Sequence, residues 1–80
     1  MPYEVEKALL ESGATDAVVF GYDTVYAEVV GNVDKELLKS KLAHYKIPQK
    51  IFYVDSITRK GQGKINRKEL LNEYIKNRKS

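Results

Sequence analysis

Eighty residues, 42% of them hydrophobic and 31% charged, suit one small domain with a modest core. With no cysteine and a single histidine, the chain excludes disulfides, thiolate metal sites, a cysteine nucleophile and an imidazole cluster. Its net charge of +3 is uneven: residues 1–38 set two lysines against eight acids, a net −6, and residues 39–80 set twelve Lys or Arg against three acids, a net +9. The second half therefore favours an anionic partner, be it nucleotide, phosphate, nucleic acid or carboxylate.

In chain order, the first element reads as a short helix. Val5, Ala8 and Leu9 share one stripe, with Glu4, Glu6, Lys7 and Glu11 mostly outside it. Gly13 is placed to end that helix, since glycine tolerates positive φ. Ala17-Val18-Val19-Phe20 is too short for a helix and rich in strand formers. After the turn Gly21-Tyr22-Asp23, the residues Val25, Ala27 and Val29 alternate with Tyr26, Glu28 and Val30. Residues 16–30 are expected to form a two-stranded hairpin with one face more buried.

Gly31-Asn32 breaks the second strand. Asn32 or Asp34 can cap a helix over 34–45, with Leu37, Leu38, Leu42 and Tyr45 inward. Pro48 holds Ile47 extended and closes that helix. Lys50 to Val54 reads as a third strand, and residues 55–64 as loop. For the last helix, Asn66 is the cap, Glu69 three residues on completes a capping box, and Ile65 and Leu70 form a hydrophobic staple. Leu71, Tyr74 and Ile75 extend its apolar face, and residues 76–80 are expected to fray. The expected fold is α+β: a three-stranded sheet packed with three helices, ordered helix–strand–strand–helix–strand–helix, in a single domain over 1–80. No apolar run approaches the ~20 residues of a membrane helix. Met1 to Glu6 has neither the basic nor the apolar part of a secretory leader, so a cytoplasmic protein without membrane contact is expected.

Residues 59–68, Arg-Lys-Gly-Gln-Gly-Lys-Ile-Asn-Arg-Lys, concentrate the chemistry. Five of the ten are cationic, and Gly61 and Gly63 sit just before a helix start. Glycine lets the backbone approach an anion closely, and helix N–H groups point outward there. Lys64 can project as a mobile point charge. A phosphate-binding loop of the Walker type is excluded, because Thr58 and Ile65 stand where it needs Gly and Ser or Thr. On the residues alone, the segment is either a solvated basic loop or an anion site.

A wider series places these residues in context. Ile47-Pro48, then Phe52-Tyr53-Val54-Asp55, then Gly63-Lys64-Ile65-Asn66-Arg67-Lys68-Glu69-Leu70 resembles the end of the adenylate-forming enzymes. These are the acyl-CoA synthetases, the adenylation domains of nonribosomal peptide synthetases and the luciferases. Pro2 to Leu9 is similar to the helix after that family's hinge, and Asp16 to Gly21 to the strand that follows it. The resemblance spans residues 2–75 in the family's order.

The resemblance implies a C-terminal lid that closes over a large N-terminal adenylation domain, which binds ATP with magnesium and the carboxylic acid. Lys64 is then the catalytic lysine, bridging the acid's carboxylate and the adenylate. Gly63 keeps that approach open, and Arg59 is a weaker candidate for cofactor contact. Arg67, the motif's closing arginine, takes a structural role. Coenzyme A or a carrier-protein thiol is the implied acceptor, and rotation of the lid between an adenylating and a thioester-forming pose brings Lys64 in and out. The chain departs from the motif at Thr58, Lys60, Gln62 and Asn66, and at the short Gly21 to Thr24 connection. Hinge, phosphate loop and acid pocket are not in the sequence, so a complete ligase is not expected of this chain alone.

His44 reads as a helix-end residue without a Ser or Asp partner, and the six tyrosines as core or interface, with Tyr22 and Tyr26 able to face a partner. The alternatives are a stand-alone anion- or nucleic-acid-binding module using 59–68, or a protein-interaction domain. The nucleic-acid reading is weakened because no aromatic lies within 59–68 to stack a base.

Overall fold

A computed structural model of the chain describes residues 2–58 and 66–78. The elements are α1 (Pro2–Glu11), β1 (Ala14–Phe20), β2 (Tyr26–Gly31), α2 (Lys35–Lys41), a 3-10 turn (His44–Lys46), β3 (Lys50–Tyr53) and α3 (Arg67–Arg78). This is the expected α+β order. The sheet runs β1-β2-β3, with β1 antiparallel to β2 and β2 parallel to β3. Strands β2 and β3 can be parallel because α2 and the 3-10 turn make the crossover between them.

Two glycines are dictated by backbone shape. Gly13 ends α1 at φ +121°, where a Cβ would stand 2.6 Å from the Asn32 carbonyl oxygen. Gly21 ends β1 at φ +113°, where a Cβ would be 2.1 Å from the Thr24 carbonyl oxygen. Any L side chain at either position must strain or move its neighbour.

One face of the sheet carries Ala17, Val19, Ala27 and Val29, and packs on Val5, Ala8 and Leu9 of α1 and on Leu38 and Leu42. The period-2 alternation read in the sequence puts the other set, Phe20, Tyr26, Glu28 and Phe52, on the opposite face. There α3 lies: Tyr74 packs its ring 4.5 Å from that of Tyr26 and 5.3 Å from that of Phe52.

The second helix is shorter than its pattern suggests. Asp34 is its cap, accepting hydrogen bonds from the N–H groups of Glu36 and Leu37. Helix α2 stops at Lys41 because Leu42 is already extended, at φ −127° and ψ 144°. That break interrupts the helical period, so Tyr45, expected inward, is 75% exposed. Leu37 is also a correction, at 40% exposed, since this short helix buries only the Leu38–Leu42 stripe. Ile75 is likewise more exposed than its place on an apolar face implied.

Candidate functional site

The cationic segment is reached through its two ends. Arg59, Gly63 and Lys64, the candidate site residues, lie outside the described residues, as does Ile65 of the expected staple. What is described is how the flanks are held. Thr58 on one side and Asn66 on the other line a single cleft of about 250 Å³, together with Glu28, Glu69 and Glu73.

Helix α3 begins as its sequence requires. The Glu69 N–H donates to Asn66 Oδ1 at 3.0 Å, and the Leu70 N–H donates to the Asn66 carbonyl at 3.2 Å. A side-chain cap at this position satisfies a donor that the helix itself cannot. Glu69 in the first turn also suits the positive end of the helix.

Arg67 fixes that helix start to the rest of the domain. Its Nε donates to the Val19 carbonyl at 3.0 Å, and its Nη2 donates to Glu6 Oε2 at 3.0 Å and Oε1 at 3.3 Å. Glu6 Oε2 accepts in turn from the Val19 N–H at 2.8 Å. Val19 lies on β1, an outer strand of the sheet, so both of its backbone groups are taken by side chains. The pair crosses the β1 edge and ties α3 on one face to α1 on the other. Glu6 is only 14% exposed in its side chain. Periodicity placed it outside the buried stripe of α1, and no local signal could pair it with an arginine 61 positions away.

The surroundings of α3 are polarised. On one side, Glu28 sits above its ordinary carboxylate value, chiefly through burial and then through the charge of Glu73. On the other side, a cleft of about 420 Å³ is lined by Val5, Phe20, Tyr22, Tyr45 and the cationic Lys46, Arg67 and Lys68. Lys46 is paired with Glu4 at 2.9 Å; their hydrogen bond lowers the glutamate's pKa and raises the lysine's. His44 packs edge-on to Tyr45, and among the described residues no acid stands in a catalytic arrangement with it. Among the described residues no group of three or more His, Asp or Glu could hold a metal ion, and no helix is long and apolar enough to cross a membrane.

Similar solved structures agree over almost the whole chain. The o-succinylbenzoate CoA synthetase (MenE) of Bacillus subtilis, in complex with its acyl-adenylate intermediate, is 32% identical at a TM-score of 0.74, matching 86% of this chain and 17% of its own. A fatty acyl CoA synthetase of Mycobacterium tuberculosis is 26% identical at a TM-score of 0.74, over 91% of this chain and 17% of its own. MatB of Rhodopseudomonas palustris is 26% identical at a TM-score of 0.76, over 91% and 18%. The chain belongs with the C-terminal subdomain of the adenylate-forming superfamily. The subdomain spans less than a fifth of the length of these relatives. No family model and no curated protein matches it. The Arg67 bridge and the Asn66 cap therefore fix the α3 side of the family motif.

Proposed function

We propose that this subdomain is the lid of an ATP-dependent ligase that activates a carboxylic acid as its adenylate, and that Lys64 is the residue it delivers. The carrying observation is the match, in fold and sequence, to acyl-CoA synthetases over 86–94% of the chain. One of them, MenE, is also solved with ATP and a magnesium ion, which supports ATP as substrate here. The triphosphate, its magnesium and the acid would be held by a large N-terminal adenylation domain, in cis or in trans. This chain's described residues offer no cluster to hold the metal.

The contribution asked of Lys64 is electrostatic. A carboxylate oxygen attacks the α-phosphorus, a new P–O bond forms, and the bond to pyrophosphate breaks. Two negative groups must approach, and an ammonium between them stabilises the charge of the transition state. In this reading Gly63 beside it leaves room for that approach, and Arg59 is the weaker candidate for contact with a phosphate. The root of the segment must be firm for the lysine to arrive on target, which is the service of Asn66, Arg67 and Glu6. The same lid, turned, would present the adenylate to coenzyme A or to a carrier-protein thiol.

The test is ATP–pyrophosphate exchange by the chain joined to or mixed with its large domain. Lys64→Ala is expected to slow exchange roughly 10²–10³-fold, the usual loss when one charge-stabilising donor is removed. Exchange at the parent rate in that variant overturns the role of Lys64.

A further inference from the structure

The two edges of the sheet are treated differently. At the β1 edge, Glu6 and Arg67 occupy both backbone groups of Val19. Among the described residues, no strand pairs with the outer edge of β3. On its inner side β3 is engaged: the Gln49 N–H donates to the Val25 carbonyl at 2.8 Å, and Ile51 is in register with Ala27. Across β3 itself, Ala27 turns its backbone groups to the residues flanking Ile51, and the Val54 N–H donates to the Val29 carbonyl at 2.9 Å, so the backbone groups of Ile51 and Tyr53 face outward. An edge of this kind is a template for another strand.

Beside that edge, α2 and β3 enclose a groove of about 340 Å³. Its apolar part is Ile47, Ile51 and Tyr53, and its cations are Lys35 and Lys39, the Lys50 ammonium lying 5.2 Å from the centre of the Phe52 ring; among the described residues no acidic side chain lines it. The nearest counter-charge is Glu36, 3.7 Å from Lys39 with both side chains largely in solvent, a pairing worth little. Lys35 and Lys39 are one helical turn apart, about 6 Å along the axis at ~1.5 Å per residue. Alternate side chains of a strand repeat every ~6.7 Å. A strand laid on β3 would thus bring every second side chain past one of the two lysines.

We propose that the β3 edge and the α2 groove dock an extended acidic segment of a partner protein, one alternating carboxylate and aliphatic side chains. Backbone hydrogen bonds to Ile51 and Tyr53 supply the pairing. Carboxylates on the α2 side meet Lys35 and Lys39, and aliphatic side chains on the other side of the added strand lie beside Phe52. This surface is separate from the root of the Lys64 segment and does not depend on the ligase reading.

The experiment is an NMR titration of the isotopically labelled 80-residue chain with a capped eight-residue peptide of alternating Glu and Val, in low salt. The expected result is a saturable shift of amides in Lys35–Lys39 and Lys50–Tyr53, weakened roughly tenfold or more in the doubly substituted Lys35→Glu, Lys39→Glu chain. The same peptide fully N-methylated, which keeps its charge and loses its amide donors, should bind at least tenfold more weakly. The proposal is overturned if the peptide moves no amide, if its shifts fall on residues 66–78 instead, or if the N-methylated peptide binds as well as the parent. Tighter binding of a short oligothymidylate at the same groove overturns it too, in favour of a nucleic-acid surface.

Discussion

The α1–α2 face of the sheet is sealed by Leu9, Ala27, Val29 and Leu38, all at 2% exposure or less, whereas α3 closes the other face without one fully buried side chain among its described residues. Leu70, Leu71 and Tyr74 are only half-buried. On that face the sheet buries Val18 and Phe20, and α3 adds the rings of Tyr74 against Tyr26 and Phe52, the Arg67 bridge and the Asn66 cap. The first face holds the domain together by removing apolar surface from water. The second holds one helix by a few directed contacts, which fix its position while costing little to release.

The sharpest way to break the comparison is to empty the dry face. Leu38→Ala removes a side chain that is 2% exposed and should cost about 2–5 kcal/mol. In a domain this small that approaches the whole stability, so the urea midpoint should collapse. A loss under about 1 kcal/mol would mean that the α1–α2 face is not the main core.

On the α3 side, the largest expected effect belongs to Glu6→Ala. It leaves the Val19 N–H without its acceptor and Arg67 without its carboxylate, a cost of about 1–3 kcal/mol. Amide exchange should quicken at Val19 and through the first turn of α3 before it changes in α1. Uniform acceleration across all three helices would show that the two faces are one cooperative unit.

Glu28→Gln tests the polarity of the α3 face. Because burial and Glu73 raise the folded carboxyl above its ordinary value of 4.5, the folded state holds the proton more tightly than the unfolded state. The associated stability is complete below that ordinary value and is lost as the pH rises through the higher folded value. The glutamine variant should therefore match the parent in acid and exceed it at neutral pH, by less than about 1 kcal/mol given the partial exposure. A parent that is more stable than the variant at neutral pH would contradict this sign.

The smallest effect is expected at the surface pair of Lys46 and Glu4. Lys46→Ala should barely move the denaturation midpoint, as exposed pairs contribute little. What it does lose should vanish as acid protonates Glu4, whose lowered value makes its contribution fade as the pH falls.

Much of this was written in local pattern. The strand alternation of Val25 to Val30, the stripe of Val5, Ala8 and Leu9, the stop at Gly13 and the cap at Asn66 each depend on neighbours within a few residues. The order of elements follows from them, and so does the family motif from Gly63 to Leu70. Local pattern failed where a short helix ended without a breaker: nothing at Leu42 announces that it turns extended, and Tyr45 went outward as a result.

The sequence alone determined which segments become helix or strand and which residues carry the motif, because propensity, capping and periodicity act over one or two turns. Tertiary structure decided what those segments meet. It bound Arg67 to Glu6 across 61 positions, brought Glu28 under Glu73, and left the β3 edge beside Lys35 and Lys39. Such pairings are set by how sheet and helices stack, and no spacing along the chain encodes them.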